Sequence, residues 1–121
     1  MNTYVDGFVV PVPKDRIDDY KKLAELAAKV WMDAGALEYR ECLADDTEVG
    51  DEMTSFPQLA GASENETVMF SYITYRDREH RDEVNAKAMT DPRLIEACQA
   101  EDKPFDPKRL AYGGFRLLLG S

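Results

Sequence analysis

Arg81 and Asn85 are polar residues at helical spacing on a predicted helix face that should be buried. At 100° per residue, Asn85 and the apolar Ala88 fall within about 60° of Arg81. A guanidinium and a carboxamide on such a face can bind an anionic or carbonyl group of a ligand. The structural alternative is that Arg81 pairs with an acid, Asp6 or Glu38. Asn85 would then hydrogen-bond a strand end.

Asp6 is a carboxylate within an apolar run that predicts a central strand, and it shares one face with Tyr4 and Phe8. A carboxylate held among apolar groups is a candidate general base. The alternative is a contact across a dimer or an ion pair with an arginine, and the arginines considered are Arg40, Arg81 and Arg116. Glu38 alternates with Arg40 on a second predicted strand, and the same two interpretations apply to it.

Aromatic side chains are candidates for the walls of a pocket beside these polar groups. Such residues combine a large apolar surface with, in most cases, a polar tip. The candidate ligand-binding residues are Tyr4, Trp31, Tyr39 and Tyr112.

The cysteines and the single histidine give weaker signals. Cys42 and Cys98 are expected to be reduced thiols that behave as small apolar side chains. His80 lies off the apolar stripe of its helix, so it is expected to face solvent. A dyad of Cys42 with His80 has no supporting pattern.

The sequence predicts no metal site and no cofactor. It has one histidine and no Cys-x-x-Cys pair, so it shows no zinc pattern. The acidic stretch that begins at Asp45 lacks EF-hand spacing, because Phe56 stands where the twelfth-position glutamate belongs. A solvated run of charge is expected there. Gly113 and Gly114 enter a strand and do not precede a helix, as a phosphate-binding loop would.

Composition restricts the classes of function. The chain has 121 residues, 44% hydrophobic and 32% charged, which predicts one domain over residues 1–121. The net charge is −9 and the 15 basic residues are scattered among 24 acidic ones, so binding to nucleic acid or to an anionic membrane surface is not expected. No apolar run approaches the roughly 18 residues of a membrane span. The N-terminal residues resemble no secretory signal, which favours the cytoplasm.

The elements that must position these residues follow the order β-α-β-β-α-β. Apolar spacings of three and four predict the first helix, with Gly35 as its stop. Asp77 is expected to cap the second helix. The predicted strands are residues 4–12, 37–43, 67–75 and 112–119, and the predicted helices are residues 14–34, 77–90 and a short 93–100. Residues 44–66 form a long connection in which residues 54–57 are expected to be extended.

This order is that of the ferredoxin-like α+β fold, a four-stranded antiparallel sheet with both helices on one face. The other face is expected to expose Tyr4, Phe8, Tyr112, Leu118 and one set of alternate side chains from residues 67–75. Burying such a patch is worth on the order of 10 kcal/mol before association costs. A second copy packed sheet to sheet, as in a dimeric α+β barrel, is the favoured cover. The competing cover is residues 93–109 folded back over the sheet.

Several segments resemble one bacterial family. They are residues 4–13, residues 35–39, residues 54–57, the pattern Asn85-x-x-x-Met89-x-Asp91-Pro92-Arg93, and residues 104–106 with 112–115. The chain resembles, over nearly its whole length, the YbaA-like proteins, a domain-of-unknown-function family (number 1428). The resemblance implies a dimeric α+β barrel similar to the antibiotic-biosynthesis monooxygenase superfamily. It implies no catalytic residue, because the family has no established reaction.

Two classes of function remain open from the sequence. One is a small-molecule enzyme, such as a cofactor-independent monooxygenase or isomerase. In it Asp6 or Glu38 would remove a proton while Arg81 or Asn85 polarises an oxygen. The other is a non-catalytic homodimer, structural or holding an unidentified small molecule in a pocket of the barrel. Fold analogy alone favours the first class, and a fold does not fix a function.

Overall fold

The computed structural model describes residues 3–120, which form one antiparallel four-stranded sheet and four α-helices. The strands are β1 (Tyr4–Pro13), β2 (Glu38–Leu43), β3 (Glu66–Tyr75) and β4 (Ala111–Arg116), and the helices are α1 (Ile17–Ala34), α2 (Phe56–Ala60), α3 (Arg78–Met89) and α4 (Pro92–Cys98). The strand order is β2-β3-β1-β4, so the two least polar strands are central, as predicted. No helix within residues 3–120 is long and apolar enough to cross a membrane.

The predicted elements differ from the observed ones by one to three residues at their ends, most in the first helix and the last strand. The first helix begins only at Ile17, because residues 14–16 form a turn of 3₁₀ helix. β4 stops at Arg116, three residues early, because its last ladder partner, Tyr4, is where β1 begins. The prediction that residues 54–57 are extended is wrong for Phe56 and Pro57, which begin a helix, whereas Ser55 has an extended backbone as its N-cap. The Ser55 hydroxyl accepts from the Gln58 amide in a capping box, which starts α2.

One face of the sheet is covered by helices, and we call it the covered face. Val10 and Val12 of β1 pack there against Tyr20 and Ala24 of α1. At the other end of the sheet, Val84 of α3 joins a buried cluster that includes Tyr4 and Tyr75, at the ends of β1 and β3. The core therefore lies between the covered face and the pair α1 and α3.

The predicted placement of Tyr4, Phe8 and Tyr112 on the uncovered face is wrong. Side chains along a strand alternate between faces, so Tyr4 and Phe8 must share the covered face with Val10. The ladder pairs Phe8 with Tyr112, and their ring centroids are 5.0 Å apart on that same face. Leu118 lies beyond β4 and is exposed.

The opposite side of the sheet, called the open face, is partly covered by the long connection. The open face consists of Val5, Gly7, Val9 and Pro11 of β1, Val68, Phe70, Tyr72 and Thr74 of β3, Glu38, Arg40 and Cys42 of β2, and Ala111, Gly113 and Phe115 of β4. The ring of Phe56 in α2 lies 5.8 Å from that of Phe70. Beyond α2, Phe70 remains 43% exposed and Phe115 62% exposed.

Residues 93–109 do not cover the open face, so the competing prediction is wrong. Phe105 packs instead against Tyr20 on the covered side, with ring centroids 5.8 Å apart. Arg16 fixes the same segment through a 2.8 Å salt bridge to Asp102. The charged, proline-containing loop therefore extends the helix layer at α1.

Candidate functional site

The centre of the candidate site is an ion pair between Asp6 and Arg81. Asp6 lies on the covered face of β1 and is 1% exposed, and Nη1 of Arg81 from α3 donates to its Oδ1 at 2.7 Å. The same nitrogen donates to the Tyr112 hydroxyl at 3.0 Å, and the guanidinium carbon lies 5.0 Å from the ring centroid of Tyr4. Three elements, β1, β4 and α3, thus meet at one guanidinium.

Gly114 makes this convergence possible. It faces Asp6 in the β1–β4 ladder. A Cβ built there would collide with the Tyr4 hydroxyl and lie 2.9 Å from Nη1 of Arg81. A larger residue at this position would therefore require the Tyr4 hydroxyl and the Arg81 guanidinium to shift.

Electrostatics hold Arg81 in its charged form. Burial alone would lower the pKa of Arg81, but the hydrogen bond that Nε of Arg81 donates to Asp82 and the charge of Asp6 outweigh burial and raise it. The pKa of Tyr112 is also raised, by burial and then by the charge of Asp6. Arg81 is consequently a cation and Tyr112 a neutral phenol at neutral pH.

Asn85 links the helix layer to the sheet one turn further along α3. Its Oδ1 accepts from Nε1 of Trp31 at 3.0 Å and from the hydroxyl of Tyr75 at 3.5 Å. Tyr75 is the last residue of β3, so the predicted bond between Asn85 and a strand end is present. Burial raises the pKa of Tyr75, and the charge of Asp6 adds to this shift.

A second carboxylate, Glu41, forms a cluster that sequence reasoning missed. Its Oε1 accepts from the hydroxyls of Tyr20 at 2.8 Å and Ser71 at 2.5 Å, and its Oε2 accepts from Tyr39 at 2.8 Å. Burial, followed by the charge of Glu41, raises the pKa of both phenols. The available signal was an acid on the apolar face of a strand, between Tyr39 and Leu43, the same signal that singled out Asp6.

Glu38 is not part of the Asp6 site. It lies on the open face, where its Oε1 accepts from Thr74 at 3.1 Å and its Oε2 is 3.6 Å from Nη2 of Arg40. Tyr39 points to the covered face and belongs to the Glu41 cluster. Among the other six predicted site residues, Tyr4, Asp6 and Tyr112 meet at Arg81. Trp31 bonds Asn85 one turn further along α3.

The predictions for His80 and the cysteines need correction. His80 is buried. Its Nδ1 accepts from the Arg76 amide at 3.0 Å, and its ring packs edge-on against Tyr75. Cys42 and Cys98 are free thiols, as predicted, but both are exposed and neither is packed as a core side chain. Within residues 3–120 no three acidic, cysteine or histidine side chains are grouped to hold a metal ion.

An open cleft of about 520 Å³ borders the ion pair. Its sheet side consists of Thr3, Tyr4, Gly114, Arg116 and Leu117, at the adjoining ends of β1 and β4. Its helix side consists of Asp77 and Arg78, where α3 begins. Asp6 and Arg81 do not line the cleft themselves. Tyr4 links the cleft to the pair, because its ring centroid lies 5.0 Å from the guanidinium carbon of Arg81. The volume is within the usual range for small-molecule sites, roughly 300–1,000 Å³.

Comparison with known proteins places the chain among proteins without an assigned activity. The family described as "Protein of unknown function (DUF1428)" matches residues 3–107. The "Uncharacterized protein YbaA" of Escherichia coli K12 is 47% identical over 116 residues, which cover 96% of this chain and 97% of the relative. The protein of the same description from Shigella flexneri has the same identity and coverage.

A solved structure of a Bacillus cereus protein related to NIF3 is similar at 15% identity and a TM-score of 0.37. The match covers 98% of this chain, which spans only 26% of that protein. The family match and the near full-length identity to YbaA agree with each other. The chain therefore belongs to the DUF1428 family of proteins of unknown function.

Proposed function

We propose that this chain is a small-molecule-binding protein that acts as a homodimer, with the ligand held in the cleft beside the Asp6–Arg81 pair. The observation that carries the proposal is the position of that cleft. Its lining residue Tyr4 lies against the Arg81 guanidinium, so a ligand there would be one side chain away from a charged pair whose carboxylate is buried. Perturbed ionisable groups next to a cleft are typical of functional sites.

The proposed subunit is a single ferredoxin-like domain over residues 1–121, of which residues 1, 2 and 121 lie outside the described residues. The strand order β2-β3-β1-β4 and the placement of α1 and α3 on one face support this fold. The proposed dimer packs two open faces together as a dimeric α+β barrel. The apolar surface that α2 leaves exposed, at Phe70 and Phe115, supports that packing.

The polar groups of the site already have hydrogen-bond partners within the protein, and this favours binding over catalysis. Oδ1 of Asp6 accepts from Arg81, and both oxygens of Glu41 accept hydroxyl protons. Within residues 3–120 every buried side-chain nitrogen or oxygen has a hydrogen-bond partner. A general base must instead present its oxygen to the substrate proton. The cleft lies beside this network, so a ligand can bind without breaking it.

We further propose that the protein acts in the cytoplasm and binds no nucleic acid. The net charge of −9 supports the second point, since phosphate backbones attract basic surfaces. A soluble metabolite is the corresponding class of ligand.

The test is native mass spectrometry of the protein isolated from the cells that make it, because this measurement counts subunits and retained small molecules together. Two variants place the ligand. Leu117→Trp fills the cleft, and Leu118→Trp adds the same bulk at a neighbouring, 93% exposed residue outside it. We expect a dimer with a reproducible added mass in the wild type and in Leu118→Trp, and a bare dimer in Leu117→Trp. An added mass that Leu117→Trp retains would place the ligand elsewhere.

A further inference from the structure

We infer that the ligand of this cleft carries an oxyanion, a carboxylate or a phosphate, which Arg78 and Arg116 bind from opposite walls. The inference rests on the proposed small-molecule function and adds the chemical class of the ligand. Arg78 is the first residue of α3, and Arg116 is the last residue of β4. Both side chains are exposed and line the cleft.

The arginines that form no salt bridge distinguish this end of the molecule from the rest. The chain has eight arginines in a background of 24 acidic residues. Five of them form salt bridges, namely Arg16, Arg40, Arg81, Arg93 and Arg109. Among the residues described, no salt bridge involves the remaining three, Arg76, Arg78 and Arg116. Two of these three unpaired guanidiniums line one cleft, in a protein whose net charge would otherwise repel anions.

The charges in the cleft favour a single anionic group. Asp77 also lines it, and its Oδ1 accepts from the His80 amide at 2.7 Å as the cap of α3. Its negative charge offsets one of the two guanidiniums, so the lining carries a net charge of about +1 by simple count. A guanidinium presents paired N–H donors that match the oxygens of a carboxylate or phosphate. The apolar surfaces of Tyr4 and Leu117 are then available to the rest of the ligand.

The experiment is a titration of the full-length protein, followed by amide and arginine side-chain NMR signals at low ionic strength. The probes are benzoate, phenyl phosphate and the neutral benzamide, which has nearly the shape of benzoate. We expect both anions to shift the signals of Arg78, Gly114 and Leu117, and benzamide to leave them unchanged. The tighter of the two anions identifies carboxylate or phosphate as the preferred group.

Two double variants with equal loss of charge complete the test. Arg78→Gln with Arg116→Gln should weaken anion binding by about tenfold or more, since each removes a charge-assisted hydrogen bond. Lys21→Gln with Lys22→Gln, on the exposed side of α1, should leave binding within about twofold by the screening of distant surface charges. Amide spectra of both variants verify that the fold is kept.

Three results would overturn the inference: unchanged affinity in the double arginine variant, equal binding of benzamide, or no shift in the cleft with either anion. They are distinguishable from failure of the proposed function. Benzamide binding in the cleft would keep a small-molecule site and reject only its anionic class. A ligand mass retained by wild-type protein and lost in Leu117→Trp would keep the site even if neither anionic probe binds.

Discussion

At the scale of residues, two carboxylates organise the polar contacts of the covered face, the buried Asp6 and the half-buried Glu41. Asp6 is matched by a guanidinium, and Glu41 by three hydroxyls. A buried charge without such partners would be strongly unfavourable, so each cluster must form as a unit. The tyrosines that surround them are therefore parts of the fold as well as candidate ligand contacts.

Replacing Arg81 should reveal how much Asp6 depends on it. Arg81→Gln leaves a carboxylate that is 1% exposed without its opposite charge, and we expect the free energy of unfolding to fall by about 3 kcal/mol. Urea denaturation measures this loss. Adding Asp6→Asn should recover part of it, because the double variant buries no unpaired charge.

Arg93→Gln is the matched control for that experiment. Arg93 also forms two ion pairs, with Asp33 and Asp91, but its side chain is 43% exposed. Surface pairs contribute little, so the control should lose less than about 1 kcal/mol. Equal losses in the two arginine variants would contradict the special role of the Asp6 pair.

The phenols of Tyr20 and Tyr39 should resist alkaline ionisation. Burial and then Glu41 raise the pKa of each above the ordinary 10.0. Because the folded-state pKa is higher than that of the unfolded chain, this contribution to stability is complete below about pH 10 and is lost as the pH rises through the folded-state value. We expect both phenols to be protonated at about pH 11 in the folded protein. They should ionise only when the native circular dichroism is lost.

Difference titration of the tyrosinate absorbance against Tyr20→Phe assigns the signal of Tyr20. The part of the wild-type absorbance change that is absent in Tyr20→Phe should occur at the pH at which the wild type unfolds. Ionisation of Tyr20 near pH 10 in a protein that keeps its native circular dichroism would contradict the burial described here.

Part of the site could be predicted from the sequence, because some of its partners follow from local periodicity. The helical spacing of Arg81 and Asn85 placed both on a buried face, and the pair with Asp6 was one of the stated alternatives. The Glu41 cluster could not be assembled in this way, since Tyr20 comes from α1 and Ser71 from β3. Strand register brings Ser71 opposite Glu41, and the packing of α1 on the sheet brings the Tyr20 hydroxyl to the same carboxylate.

At the scale of elements, the sequence predicted the residues that cap or end the helices. It did not predict which segments pack on each face of the sheet. Gly35 ends α1 and Asp77 caps α3, both as local chemistry predicts. The choice of face in β1 depends instead on tertiary packing, because both faces of that strand are largely apolar. Proline and glycine in residues 44–66 likewise concealed α2, whose position over Phe70 is a long-range contact.

Two glycine-to-alanine substitutions test whether Gly35 is needed to end α1. Gly35 has φ 115°, in the left-handed region, and a Cβ there would meet Val84 and His80 at 3.6 and 3.7 Å. Those contacts are ordinary, so the cost of Gly35→Ala is backbone strain, about 1–2 kcal/mol. Gly50→Ala is the control, because a Cβ at Gly50 has no neighbour within 4 Å and its φ is not positive.

Thermal or urea unfolding of the two glycine variants provides the comparison. Gly35→Ala should be clearly less stable than the wild type, and Gly50→Ala should lie within about 0.5 kcal/mol of it. Equal stabilities of the two variants would show that the left-handed turn is not needed to end α1.

At the scale of the whole molecule, the two faces of the sheet have different roles in the proposed function. The covered face holds the ion pair beside the cleft, and the open face is the proposed contact between two subunits. Phe115 of β4 is on the open face and 62% exposed, whereas Tyr112 of the same strand is on the covered face. One strand thus offers a substitution for each role.

Sedimentation velocity of the wild type, Phe115→Asp and Tyr112→Phe tests this division most directly. We predict twice the subunit mass for the wild type and for Tyr112→Phe, and a folded protein of one subunit mass for Phe115→Asp, because a buried unpaired charge opposes association. A wild type that sediments as a monomer, or a Phe115→Asp variant that remains a dimer, would contradict the assignment of the open face as the subunit interface.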